Sequence, residues 1–102
     1  MLYIYLVRKT GATYIMSSPN RATLYIGVTS DLPGRVWEHK NKIYPDSFTA
    51  RYNCVVLVFY QYHDSITEAI EEEKRLKGGN RKRKEALIDA MNPQWVDLYD
   101  TL

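Results

Sequence analysis

The sequence predicts an α+β domain in which helices cover a small sheet. Three segments, at 13–18, 23–29 and 55–63, are rich in the β-branched and aromatic residues typical of strands. Three further segments are bounded by residues that start or stop helices, and they lie at 31–41, 65–77 and 80–91. Because 102 residues support a single modest core, we expect one domain.

The first two strands are predicted to pair as a hairpin. They read TYIMSS and TLYIGVT, and the intervening Pro19 and Asn20 are residue types that favour tight turns. The third strand, VVLVFYQYH, follows a longer connection at 41–53. That connection shows no periodicity of apolar residues, so we predict a loop there.

The helices are predicted from the residues at their boundaries. A side-chain oxygen before a helix accepts hydrogen bonds from its free amides, proline fits the first turn, and glycine or proline follows the end. The boundary residues are Ser30 or Asp31 with Pro33 for the first helix, Asp64 or Ser65 with Gly78 for the second, and Asn92 with Pro93 after the third.

The two ends of the chain differ in what they predict. Residues 1–11 are predicted to be an N-terminal extension of a domain that spans 12–102. The extension contains LYIYLV, so an extra edge strand, a flexible extension and a misassigned start codon are all open interpretations. The aromatic tail at 93–102 is predicted to dock on the domain.

Composition excludes several classes of protein. The lone Cys54 excludes an internal disulfide framework and a thiol metal cluster, and it suits a reducing cytoplasm. No apolar run approaches the roughly 20 residues that span a membrane, so we expect a soluble cytoplasmic protein that does not bind membranes. The net charge is only +2, but seven of the fourteen basic residues lie between Lys74 and Lys84.

One glutamate of the second helix is predicted to lie on an apolar face. A stripe at three-and-four spacing consists of Ile66, Ala69, Ile70 and Leu76. Glu73 falls within this stripe, whereas Glu71 and Glu72 are predicted to face water. A buried carboxylate is costly unless it is paired, protonated or bound to a cation. A structural salt bridge with an arginine and a metal site are equally consistent with this spacing.

Arg35 and His39 lie four residues apart in the first predicted helix and therefore on one face of it. Taken alone, such a pair is more typical of a solvated or structural contact than of catalysis. The motifs that surround this pair in the sequence are what suggest a functional role for it.

The chain resembles the GIY-YIG nucleases, which include the nuclease domain of the excision-repair incision subunit. The resemblance covers residues 12–100 and is strongest to small stand-alone endonucleases, through YIGVTSDL, RVWEH and NPQWVDLYD. The residues that carry it are Tyr14 in the degenerate first signature, Tyr25-Ile26-Gly27 as the second signature, Arg35 eight residues after Gly27, His39, and Glu73 four residues after Ala69.

The resemblance implies a three-stranded antiparallel sheet with about three helices and a metal-dependent endonuclease activity. It implies a nucleic-acid substrate in repair or processing, with DNA favoured and RNA left open, and Mg²⁺ or alternatively Mn²⁺ held by Glu73. Arg35 would contact the phosphate, and Tyr14 or Tyr25, activated by nearby cations, would position or deprotonate the attacking water. His39 would share that proton.

A second group of residues is predicted to contact nucleic acid. Gly27 would let a phosphate approach the backbone, and the basic run would contact further phosphates. The basic residues are Lys77, Arg81, Lys82, Arg83 and Lys84. The alternatives are a solvated helix face for the run and, for the whole chain, a catalytically inactive nucleic-acid-binding or adaptor module. A separate protein partner would then supply targeting.

Overall fold

Three strands and four helices follow one another in the computed structural model, which describes residues 10–102. The elements are β1 (Gly11–Ser17), β2 (Leu24–Thr29), α1 (Leu32–Lys40), α2 (Phe48–Arg51), β3 (Val56–His63), α3 (Ile66–Lys77), α4 (Arg81–Met91) and a 3₁₀ turn (Tyr99–Thr101). Residues 1–9 of the predicted extension lie outside the described part of the chain, and Gly11, its last residue, begins β1.

The strands form one antiparallel sheet in the order β2-β1-β3, which confirms the predicted sheet. Among residues 10–102, β1 is therefore the central strand and β2 lies at one edge of the sheet. In this register Tyr14 of β1 faces Gly27 of β2 on one side and Tyr60 of β3 on the other. Directly opposed residues point to the same face of a sheet, so Tyr14 and Gly27 share a face.

Helices cover both faces of the sheet. Because side chains alternate along a strand, Tyr14 and Met16 of β1 pack with Val36 of α1 on one face. Ile15 packs on the other face with Leu76 of α3 and with α4. The predicted α+β architecture is confirmed, and the sheet separates α1 from α3 and α4.

Side-chain caps explain where three helices begin. Asp31 accepts a bond from the amide of Gly34 at 3.2 Å, and Ser65 accepts one from Glu68 at 3.1 Å. These contacts decide between the alternative capping residues that the sequence leaves open. Asn80 accepts from the Arg83 amide at 2.9 Å and so caps α4, a structural role for this residue.

The prediction of a loop at 41–53 was wrong in part, because this stretch contains α2. Ser47 caps it by accepting a bond from the Ala50 amide at 3.3 Å. A four-residue helix is too short to show apolar periodicity and too short to be stable alone, so tertiary contacts must hold it.

The predicted apolar stripe of α3 was wrong at two of its four positions. Ala69 and Leu76 are buried, whereas Ile66 and Ile70 are 39% and 37% exposed. The cause lies in Gly11: a Cβ there would lie 2.9 Å from the Ile66 Cα and 3.0 Å from the Ala69 Cβ. The backbone of α3 therefore packs directly against β1, and the side chains of Ile66 and Ile70 are exposed to solvent.

The C-terminal tail docks on β3 and α1, as predicted. Asp97 accepts a bond from the Leu57 amide at 3.2 Å and pairs with Lys40. The Leu98 amide donates to the Leu57 carbonyl at 2.8 Å. Within residues 10–102, no helix has both the length and the apolar composition needed to cross a membrane.

Candidate active site

Tyr14 lies on the central strand and points into the space between the sheet and α1. Its side chain is buried, and its hydroxyl lies 2.8 Å from Nε2 of His39. A Cβ on Gly27 would overlap the ring and hydroxyl of Tyr14. Glycine at position 27 therefore leaves the space that the Tyr14 ring occupies. This packing role does not involve a substrate. Contact between Gly27 and a phosphate stays a prediction.

His39 connects Tyr14 to a threonine of α2. The histidine is only 4% exposed, and its Nδ1 lies 2.9 Å from Oγ1 of Thr49, which is also buried. Thr49 lies within the stretch predicted to be a loop, and sequence reasoning missed it. Ser47, a residue type that starts helices, is the sequence signal that could have drawn attention to this turn.

Both members of the buried hydrogen bond are neutral at pH 7. Burial, together with a smaller effect of the positive charge of Arg35, lowers the pKa of His39 to about 4. Burial also raises the pKa of Tyr14 well above its usual range, and the smaller effect of Arg35 does not offset this. In the metal-free protein Arg35 alone therefore does not favour the Tyr14 phenolate, and activation of Tyr14 or Tyr25 by nearby cations, the metal ion included, stays a prediction.

The buried His39 should make the fold sensitive to mild acid. Between pH 6.5 and about 4, the unfolded chain binds a proton at this histidine and the folded chain does not. The free energy of unfolding should therefore fall across this window by on the order of 3 kcal/mol. Denaturant titrations of wild type and His39→Gln between pH 4 and 7 measure the effect.

Acidic residues titrate in the same pH range in both proteins. The difference between the two pH dependences of the free energy of unfolding therefore reports the contribution of His39. An unchanged slope in His39→Gln would show that His39 is not held neutral by burial.

Arg35 lies at the open side of this pair. Its guanidinium donates to Oε1 of Glu38 at 3.0 Å and lies 5.6 Å from the centre of the Tyr44 ring. The side chain is 33% exposed, and its charge acts on both Tyr14 and His39. Arg35 is thus held in place by its neighbours and still accessible to an anion.

Tyr25 completes the group from the edge strand. Its ring centre lies 6.4 Å from that of Tyr14 and 5.5 Å from that of His39. Unlike Tyr14, it is partly exposed. Four of the five predicted catalytic residues therefore lie together, and we call Tyr14, Tyr25, Arg35 and His39 the Tyr14 cluster.

Glu73, the fifth, lies on α3, and its side chain is 15% exposed, so this carboxylate is half-buried and not fully buried as predicted. Its carboxylate pairs with Nζ of Lys77 at 3.0 Å. Within residues 10–102, Glu73 has no direct hydrogen bond or ion pair with the Tyr14 cluster. Lys77 lines a groove that Tyr25 also lines.

The neighbouring glutamates were predicted to face water, which holds for Glu71 only. Glu72 is 19% exposed, and it accepts a bond from Nε of Arg75 at 2.9 Å. This bond lowers the pKa of Glu72. Glu72 and Glu73 are thus two carboxylates of similar burial, each with one cationic partner.

The residues of the site suit a hydrated hard cation better than a tightly ligated one. In the described part of the chain, no three His, Cys, Asp or Glu residues are grouped as ligands of a metal ion. Zn²⁺ would need three or four such ligands, whereas Mg²⁺ is commonly held by one or two carboxylates and several waters. Glu73 fits the second case, because its partner Lys77 is 53% exposed and free to move away.

Arg81, predicted to contact nucleic acid, has a structural role. Its guanidinium donates to the carbonyls of Arg21 and Ala22 in the β1–β2 turn, the latter at 2.9 Å. It also pairs with Glu85 at 2.8 Å. These contacts tie α4 to the hairpin, and we leave Arg81 out of the proposed contact surface.

The other basic residues of α4 point to different places. Arg83 lines a cavity with residues of α3 and α4 on the side of Arg75. Lys84 lines the groove that also contains Lys77 and Tyr25. The predicted basic surface is therefore divided, and only part of it lies near the Tyr14 cluster.

Comparison with known proteins identifies a family. The model of the GIY-YIG catalytic domain matches residues 10–86. No curated protein and no solved structure matches the chain significantly. The matched domain is a nuclease domain, which binds nucleic acid and generally uses divalent metal ions. Because the match includes both strands that carry the tyrosines and both helices that carry Arg35 and Glu73, the chain belongs to the GIY-YIG family.

Proposed function

We propose that this protein is a metal-dependent endonuclease that hydrolyses phosphodiester bonds in DNA during repair or processing. The observation that carries the proposal is the buried bond of 2.8 Å between the Tyr14 hydroxyl and a neutral His39, with Arg35 beside it. A phenol hydrogen-bonded to a neutral imidazole can pass a proton on, and an adjacent arginine can hold the phosphate.

Tyr14 rather than Tyr25 takes the proton of the attacking water in this scheme. Its hydroxyl accepts that proton while giving its own to Nε2 of His39. The phenolate never accumulates, so the raised pKa of Tyr14 is not an obstacle. Tyr25 has an aromatic contact with His39 and lies at the groove, where it positions the substrate.

Thr49 selects the tautomer of His39 that this transfer requires. Nε2 accepts a proton only if the ring hydrogen is on Nδ1, and Nδ1 lies 2.9 Å from the Thr49 hydroxyl oxygen. When Thr49 accepts that hydrogen bond, Nε2 is free to act as the base. Thr49 is therefore a positioning residue that acts through His39.

Arg35 couples substrate binding to the strength of this base. In the free protein its charge lowers the pKa of His39. A phosphate bound to the guanidinium neutralises that charge, so the pKa of His39 rises when substrate is present. The same contact stabilises the negative charge that develops on the phosphate in the transition state.

Glu73 would hold the divalent cation, Mg²⁺ or alternatively Mn²⁺, once Lys77 has moved from its carboxylate. When bound, the ion supplies Lewis-acid stabilisation of the leaving oxygen. Lys77, released from the ion pair, can then contact a phosphate in the groove. Lys82, Arg83 and Lys84 contribute further backbone contacts.

A catalytically inactive nucleic-acid-binding or adaptor module is the second candidate function. The observation that favours it is the pairing of Glu73 with Lys77 instead of with the Tyr14 cluster. For either function, we propose a cytoplasmic location, which suits the free, buried thiol of Cys54, and a protein partner for targeting.

Cleavage assays with Tyr14→Phe test the proposal. Labelled linear, nicked, flapped and single-stranded DNA are incubated with Mg²⁺, Mn²⁺ or chelator. Wild type should cut only with metal, and Tyr14→Phe should lose roughly 100-fold or more of the rate because the proton path is interrupted.

Tyr60→Phe is the matched control. Tyr60 lies opposite Tyr14 on β3, but its hydroxyl lies near Thr101 and not near His39. It should cut at the wild-type rate. Near-normal cleavage by Tyr14→Phe would rule out Tyr14 as the proton acceptor, and wild type that binds DNA without cutting it would favour the adaptor function.

A further inference from the structure

A groove of about 320 Å³ opens along β2, an outer strand of the sheet that residues 10–102 form. It is lined by Leu24, Tyr25, Ile26, Phe48, Lys77 and Lys84. These residues come from β2, from α2 on one face of the sheet, and from α3 and α4 on the other. The mechanism proposed above leaves Phe48 without a role.

Phe48 belongs to a row of aromatic rings that leads outward from the Tyr14 cluster. Its ring centre lies 6.0 Å from that of Tyr25 and 4.6 Å from that of Tyr52. Phe48 and Tyr52 are 45% and 50% exposed. Burial in the core therefore does not account for either ring, and both present aromatic surface to solvent beside the active site.

The row is held rigidly by the same contacts that build the active site. Phe48 is the first residue of α2, which Ser47 caps. The next residue is Thr49, whose hydroxyl bonds to His39 at 2.9 Å. A platform fixed to the catalytic histidine can hold a ligand at a defined distance from the reacting atoms.

Two lysines face the same groove. Nζ of Lys84 donates to the carbonyl of Gly79 at 3.1 Å, and Lys77 pairs with Glu73. Aromatic rings beside positive charges are the arrangement that binds single-stranded nucleic acid, because bases stack on the rings and phosphates lie near the cations. A base within a duplex is already stacked and paired, so its face is not available to Phe48.

We propose that this groove binds an unpaired nucleotide next to the phosphate that is cut, with its base stacked on Phe48 and its phosphate beside Lys77 and Lys84. The preferred substrate is then a single strand or a flap rather than a blunt duplex. This inference rests on the proposed function and names its substrate class.

Binding without cleavage tests the groove independently of catalysis. A single-stranded oligonucleotide that contains 2-aminopurine and a blunt duplex of the same sequence are titrated with protein in the presence of chelator. Stacking on an aromatic ring quenches 2-aminopurine, and anisotropy reports affinity. Phe48→Leu keeps an apolar side chain without a π face, Phe48→Trp enlarges the π face, and Trp37→Leu removes an aromatic that is 48% exposed outside the groove.

Phe48→Leu should bind the single strand about tenfold more weakly and lose the quenching, because one base loses its stacking partner. Its duplex affinity should be unchanged. Phe48→Trp and Trp37→Leu should both retain the wild-type single-strand affinity and quenching. Thermal melting establishes that each variant is folded.

Phe48→Leu that binds the single strand as tightly as wild type, or that loses equal affinity for strand and duplex, would overturn the inference. Loss of affinity in Phe48→Trp would do the same. Failure of the proposed function gives a different result. If the wild-type protein stacks the strand on Phe48 but cuts no substrate with any metal, the proposed cleavage is refuted. If it cuts substrate but Phe48→Leu has no effect on binding, only the proposal for the groove is refuted.

Discussion

Arg35→Ala should reduce cleavage by roughly 10²–10³-fold, because in the proposed mechanism Arg35 stabilises the phosphate charge that grows in the transition state. The rate of cleavage under single-turnover conditions measures this loss. Arg35→Lys should recover only part of the rate, since an ammonium keeps the charge but not the planar pair of donors.

The fold should tolerate the loss of Arg35. The side chain is partly exposed and contacts Glu38 and the Tyr44 ring at the surface. An exposed ion pair contributes about 0–1 kcal/mol, so the melting temperature should change little. Arg51→Ala, which removes an exposed arginine of α2, is the control and should cut normally. Near wild-type cleavage by Arg35→Ala would exclude Arg35 as the phosphate contact.

Glu73→Gln should abolish metal-dependent cleavage and the response of the fold to metal. If Glu73 holds the ion, Mg²⁺ at ten times its Kd stabilises the wild-type protein by about 1.4 kcal/mol, and the variant by nothing. Without metal the two should melt alike, because the partner of Glu73 is an exposed lysine that water can solvate. Melting curves with and without Mg²⁺ measure both effects.

Glu72 provides an unusually close control. It is on the same helix, has similar burial and pairs with one cation, Arg75. Glu72→Gln should keep both cleavage and the Mg²⁺ response, as should Glu71→Gln at an exposed position. If Glu73→Gln is less stable without metal yet still cuts and still responds to Mg²⁺, Glu73 is a structural partner of Lys77 and not a metal ligand.

The Tyr14 cluster was predicted from the resemblance to the GIY-YIG nucleases, and local rules explain why most of its members come together. The hairpin turn at Pro19 and Asn20 sets the strands side by side, and the helical period places Arg35 and His39 on one face. The order of strand, strand and helix along the chain then brings them together. Each of these steps depends on residues close in sequence.

The parts that were not predicted depend on contacts between distant residues. Thr49 reaches His39 from a four-residue helix that has no periodicity of its own. Ile66 is exposed because Gly11, far away in the chain, lets the helix backbone approach β1. A spacing rule identifies an apolar stripe, but it does not say how closely the neighbouring element approaches.

The close approach of Tyr14 to Gly27 has a consequence for how such a domain can change during evolution. The two residues face each other on adjacent strands, and the ring of one fills the space that a side chain of the other would need. The side chains at positions 14 and 27 therefore share one packing space between the two strands. A larger residue at 27 therefore requires a smaller one at 14, which would remove the hydroxyl that bonds His39. The two positions are expected to vary together, and a chain that loses the glycine should lose the tyrosine as well.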